Sequence, residues 1–172
     1  VKEAAKRGLS NIKDTPRALD VWMRKETAKL FTDMEVLSPV ELEARHEIEL
    51  HSYTLKIQIE SRVAGDLAQN HIIPTAINYQ NRLLENVRGL RDVLPAAQAK
   101  KAVETPVKLI EEISEHLSKI KELVDSMIEA RKKANVIDDA REKAIAYCDQ
   151  VRPHLEKIRY HVDKLELLVD DE

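Results

Sequence analysis

The sequence holds one cysteine, Cys148, and three glycines, Gly8, Gly65 and Gly89, and aromatic residues make up only 3% of its 172 residues. A lone thiol excludes an internal disulfide framework and fits a reducing compartment. Three scattered glycines cannot form a phosphate-cradling loop. The shortage of strand-forming aromatics and turn glycines argues against a β-sandwich or barrel. Neither sign of charge dominates, since 28 Lys and Arg stand against 31 Asp and Glu for a formal net charge of −3. That balance lacks the basic footprint of a nucleic-acid binder, and so few aromatics leave no stacking platform for single strands. No apolar run approaches the ~18 to 20 residues needed to span a bilayer, and the first residues are polar rather than signal-like. What is present, 43% hydrophobic and 34% charged residues, reads as an all-α, cytoplasmic domain.

Prolines mark the helix starts. Thr15-Pro16 offers a capping acceptor followed by a ring at the first helical position, where the missing N–H is not needed, and predicts a helix from Pro16 to about Phe31. Ser38-Pro39-Val40-Glu41 adds capping-box spacing and predicts a long helical stretch from Pro39 to about Leu94. Within it Leu55, Ile59, Val63 and Leu67 form one row, and Ile57, Ala64, Ala68 and Ile72 form another. Two rows imply burial on more than one side. Residues 55–59 alternate with period two, yet helix formers flank them and no turn residue bounds them, so they are read as helix. Pro74 cannot donate to the carbonyl of Asn70, which predicts a kink or break near His71 to Pro74, with two helices meeting at an angle and the second running through Tyr79 to Leu90.

Residues 95–105 read as a connector or a frayed helical start, and Thr105-Pro106 as the opening of another helix. There Ile110, Ile113, Leu117, Ile120, Val124 and Met127 are spaced 3,4,3,4,3, a heptad seam. Arg131, Lys132 and Lys133 suit the carbonyl end of that helix, and Asn135 suits a left-handed cap. Asp139 and Glu142 again have capping-box spacing. A second seam, Cys148, Val151, Leu155, Ile158, Val162, Leu165 and Val169, keeps its phase through Pro153, which reads as a bend. A short loop between the seams predicts an antiparallel hairpin. Its expected core is Ile113, Leu117, Ile120, Val124, Leu155, Ile158, Val162 and Leu165. The expected organisation is residues 1–94 as helices with a long kinked member, 95–105 as connector and 106–172 as hairpin, all in one helical bundle. The absence of an initial Met and the bare finish of the last seam suggest a piece of a longer polypeptide.

Reactive chemistry is thinly represented. His46 and His51 are five residues apart, turning ~140° between them on a helix, so they do not share a face as the histidines of a zinc-protease motif do. Glu43-Ala44-Arg45-His46 matches one element of a di-iron bundle, but no second copy exists. Asn70, His71 and Thr75 gather at the expected kink, where freed backbone groups need partners. Cys148 occupies a seam position, where a thiol is packing material. No residue is assigned as catalytic, cofactor-binding or metal-ligating.

Three runs carry a resemblance: Glu41 to Leu50, Lys56 to Val63 and Asn70 to Asn81. With Lys6 to Leu9, Glu85 to Leu90, Glu129 to Asn135 and Arg159 to Leu167 they closely resemble, in order, the C-terminal region of type III glutamine synthetases. The resemblance implies a large oligomeric parent enzyme, of stacked hexameric rings, that joins ammonia to glutamate using ATP and Mg or Mn. It also implies that the catalytic residues and cofactors lie outside this chain. The segment is then expected to be a structural or oligomerisation domain whose partners are the catalytic domain and neighbouring subunits. An autonomous helical adaptor is the alternative expectation.

Overall fold

In a computed structural model the described residues, 2–170, form helices and no strand. In order they are α1 (Lys2–Lys6), α2 (Thr15–Leu19), α3 (Lys25–Asp33), α4 (Pro39–Leu67), α5 (Ile73–Val93), α6 (Ala96–Ala102), α7 (Glu104–Asn135), α8 (Ala140–Ala146) and α9 (Arg152–Glu166). Two π-helical segments, Ala68–Ile72 and Tyr147–Val151, join α4 to α5 and α8 to α9.

The Ser38/Glu41 capping box forms as expected, and at Asp139/Glu142 its N-cap half is present. The Glu41 N–H donates to Ser38 Oγ at 3.3 Å while the Ser38 N–H donates to Glu41 Oε2 at 2.8 Å, and the Glu142 N–H donates to Asp139 Oδ1 at 2.7 Å. Residues 55–59 are helical. The expected helix from Pro16 to Phe31 is instead two. Asp14, not Thr15, caps α2 by accepting from the Arg17 N–H at 3.0 Å, and the chain then tightens into i to i+3 bonds through Val21, Trp22, Met23 and Arg24 before α3. The break falls where the Asp20 carboxylate is drawn to Arg141. The connector is mostly the short helix α6, built on alanines, and α7 begins at Glu104, so Thr105 and Pro106 sit inside its first turn. Pro106 costs nothing there, because the first four N–H groups of a helix have no partner within it. Asn135 is the last residue of α7 and does not adopt a left-handed conformation; among the described non-glycine residues Glu35 alone has positive φ, 53°.

Both interior prolines are accommodated in the same way. Pro74 and Pro153 each stand at the second position after a π segment, and each segment closes with a bond to the carbonyl five residues back, Ile73 N–H to Ala68 and Arg152 N–H to Tyr147. A proline ring clashes with the carbonyl four residues earlier, and the wider π turn moves that carbonyl aside. The helix path therefore continues past both rings.

Contacts divide the chain into two units, the first comprising residues up to Glu60 with Ala130–Arg152, the second Ser61–Glu129 with the residues from Pro153 onward. In the first, Leu42, Leu50 and Ile57 of α4 are buried, as are Ala144 of α8 and Tyr147 and Val151 of the following π segment. Tyr147 is fully covered, and its hydroxyl donates to Asn135 Oδ1 at 2.5 Å; the Gln58 amide reaches the same oxygen at 3.3 Å. In the second unit α5 runs antiparallel to α7, and α7 antiparallel to α9. Gly65 faces Val124 and Met127, while Gln80, further along, donates to the Ile110 carbonyl at 2.9 Å and to Ser114 Oγ at 2.7 Å. Of the expected hairpin core, Ile113, Ile120, Val124, Ile158 and Leu165 are buried, whereas Leu117, Leu155 and Val162 are half-buried at the seam edge.

The expected burial of both rows also fails. Of the two rows along α4 and the π segment after it, Ile57 and Ala68 are buried and Ala64 and Ile72 half-buried, but Leu55, Ile59, Val63 and Leu67 are exposed. A side chain's period says that it shares a face with its neighbours, and says nothing of whether that face has a cover.

Three substitutions test this packing. Ile120→Ala, at a fully buried seam position, should lower unfolding free energy by about 2 to 5 kcal/mol in urea melts, and Leu117→Ala by clearly less. Gly65→Ala should raise it by about 0.5 to 1 kcal/mol, because an added Cβ would meet Met127 Cε and Val124 Cγ1 at 3.7 Å, an ordinary contact. A Gly65→Ala chain that melts earlier would show that the helices there cannot accept a methyl group.

Candidate functional site

The side chains singled out from sequence do not converge. His46 is half-buried, with Nε2 3.9 Å from Asp20 Oδ1, whereas His51 is exposed beside Glu47 of its own helix at 3.6 Å. Asn70 Nδ2 donates to Asp66 Oδ1 at 2.6 Å, and the Thr75 hydroxyl donates to the His71 carbonyl at 2.8 Å, one turn earlier. These bonds satisfy polar groups around the first π segment, as a purely structural role for Asn70 and Thr75 requires. His71 lines a crevice of about 350 Å³ floored by Ile72, Ala76, Val162 and Leu165. Cys148 is buried in the second π segment near Tyr53, whose phenol burial pushes above its usual range, with Cys148 adding to the rise. Among the described residues no group of three or more His, Cys, Asp or Glu is arranged to hold a metal ion. No helix of the described residues is long and apolar enough to cross a membrane.

Two polar constellations were not legible in the sequence. The first is a reciprocal clasp between α2 and the α8 region. Arg17 grips Asp149 through Nη1 and Nη2, at 3.1 and 2.7 Å, and Arg141 grips Asp20 through Nε and Nη2, both at 2.7 Å. Each side supplies one guanidinium and one carboxylate, and both pairs are bidentate, the strongest geometry for this pairing. Asp149 and Asp20 are held below the usual carboxylate range, each chiefly by the hydrogen bond from its arginine. Because these groups are substantially exposed, solvent screens both pairs and leaves each a small contribution to stability. The clasp therefore fixes where α2 sits more than it stabilises the fold.

The second is a histidine pair across the hairpin. His116 Nδ1 of α7 and His161 Nδ1 of α9 are 2.9 Å apart, and the Tyr160 ring meets His161 edge-on with its centroid 5.1 Å away. One imidazole must donate and the other accept, so the pair is satisfied only while at least one ring is neutral. Burial holds His161 below the usual imidazole value, His116 and Lys119 push the same way, and Glu115 opposes them.

The geometry defines an all-α domain whose polar side chains tie helices to one another. Residues 1–91 match the family described as the glutamine synthetase C-terminal domain, and the chain belongs to that family. It is 46% identical over 171 residues to a glutamine synthetase of Bacteroides fragilis, covering 99% of this chain and 24% of that protein. It is 34% identical over 178 residues to the type-3 glutamine synthetase of Dictyostelium discoideum, covering 99% of this chain and 23% of that one. A glutamine synthetase of Butyrivibrio fibrisolvens is 28% identical over 172 residues, with 99% and 24% covered. The chain thus spans about a quarter of the length of the curated relatives it matches.

The histidine pair makes the hairpin acid-sensitive. His161 is held below the ~6.5 of a free imidazole, so as pH falls through that value the unfolded chain takes up a proton that the folded chain refuses. Stability is full above that pH and declines below it. The urea midpoint should fall between pH 6.5 and 5, and His161→Gln should flatten that part of the curve; an unchanged slope in the variant would mean that the pair is not the source of the acid sensitivity.

Proposed function

We propose that this chain is a helical structural and oligomerisation domain of a glutamine synthetase. In this reading it does no catalysis itself and packs against the catalytic part of the same enzyme and against neighbouring subunits. The parent enzyme would join ammonia to glutamate at the expense of ATP, with ATP and Mg or Mn held by residues outside this chain. Cytoplasmic residence belongs to the same reading, and the single buried thiol supports it. The observation that carries the proposal is the match along 99% of this chain to about a quarter of proteins named glutamine synthetase. A second observation agrees with it. Arg17, Asp20, Asn135 and Gln80 are each used in joining one element to another.

Two measurements test it. Given glutamate, ammonia, ATP and Mg, the 172-residue chain should form no glutamine above background, and any ATP-dependent turnover would refute the assignment. Deleting the domain from the full-length enzyme should lower the assembled mass in light scattering. An undiminished assembly would show that the domain takes no part in oligomerisation.

A further inference from the structure

Helix α4 is apolar on two sides, and its own fold covers one. Leu42, Leu50 and Ile57 are buried, while Leu55, Ile59, Val63 and Leu67 are 54, 53, 51 and 46% exposed. Residues four apart on a helix form a continuous ridge, so these four make one aliphatic strip along about three turns. Exposed aliphatic residues scattered singly are ordinary, but a row at ridge spacing is the shape that fits a groove on another helix or sheet.

Resting on the reading of the chain as a glutamine synthetase domain, we propose that the Leu55, Ile59, Val63 and Leu67 ridge of α4 is the docking face for the preceding part of the same polypeptide. Two observations favour this occupant over a second free molecule. The relatives named glutamine synthetase contain about three times as much polypeptide outside the matched stretch as within it, since this chain covers 23 to 24% of each, and the family is described as the C-terminal domain. A tethered neighbour is thus close at hand at high effective concentration. The ridge itself is also small. Four half-covered aliphatic side chains offer too little apolar surface to offset the translational and rotational freedom lost when two free molecules join, whereas a tethered neighbour has already lost most of it.

The chain's chemistry makes the ridge easy to probe, because its one native thiol, Cys148, is buried. Ile59→Cys and Val63→Cys would be placed separately in the full-length enzyme and in the 172-residue chain. Maleimide labelling of each site would be followed by peptide mass spectrometry and expressed as the native rate over the rate in urea. The expected result is labelling slowed at least 100-fold in the full-length enzyme and less than tenfold in the short chain. Equally fast labelling in both would overturn the docking face, even if deletion of the domain disrupts assembly. Protection in the short chain that grows with its concentration would assign the ridge to a second copy instead. Protection in the full-length enzyme that vanishes when its subunits are diluted apart would assign it to a neighbouring subunit, and would also overturn the proposal.

Discussion

The seam along α7 is the constraint on which the remaining packing depends. Ile113, Ile120, Val124, Met127 and Ala134 are all essentially inaccessible along one helix of 32 residues. At 1.5 Å per residue that rod is about 48 Å long, too long to be stabilised by its ends, so its stability must come from side-to-side burial. Isolated helices gain little from propensity alone and need a covered face. Ile158 and Leu165 of α9 are buried in the same unit, and Gly65 faces the rod where its missing side chain leaves room for Met127 and Val124.

Covering such a rod demands partners that run far without interruption, and the prolines are the obstacle to that. Pro74 and Pro153 would each break a partner helix if the backbone stayed strictly α-helical. Placing a π turn just ahead of each ring resolves the clash. Around Pro74 it leaves carbonyls to be satisfied locally, which is why the Thr75 hydroxyl turns back to the His71 carbonyl. Asn70 and Thr75 thus acquire structural duties from their position, and their polarity needs no ligand to explain it.

What was readable in the sequence was local. Ser38 with Glu41 and Asp139 with Glu142 are capping pairs within one turn, so spacing alone specified their hydrogen bonds. Heptad spacing likewise specified which residues share the two seams. The split between α2 and α3 was not readable, because nothing near Asp20 announces a break; its partner Arg141 lies 121 positions away. Arg17 and Asp149 are 132 positions apart, and His116 and His161 are 45 apart. Pairings of that kind depend on the finished packing and leave no trace in composition or period. Asn135 illustrates the same limit, since the expectation of a left-handed cap competed with a tertiary bond to Tyr147 that only the fold reveals.

The uncovered side of α4 can be weighed in energy. Fully burying an aliphatic side chain is worth about 1.5 to 3 kcal/mol. Leu55, Ile59, Val63 and Leu67 are each about half exposed, so the ridge retains roughly 3 to 6 kcal/mol of unrealised burial on that scale. Association of two free bodies costs about 4 to 15 kcal/mol before any contact is counted. Taken alone, the strip would give a free partner weak binding at best. A segment tethered by the same backbone avoids most of that cost, and the same few kilocalories then suffice to fix its position. A ridge of this size is therefore suited to registering a tethered neighbour, and ill suited to recruiting a free one without further contacts. The same weighing explains why such a helix can remain apolar on two sides. The four side chains of that strip fall short of what two separate molecules must offset on joining.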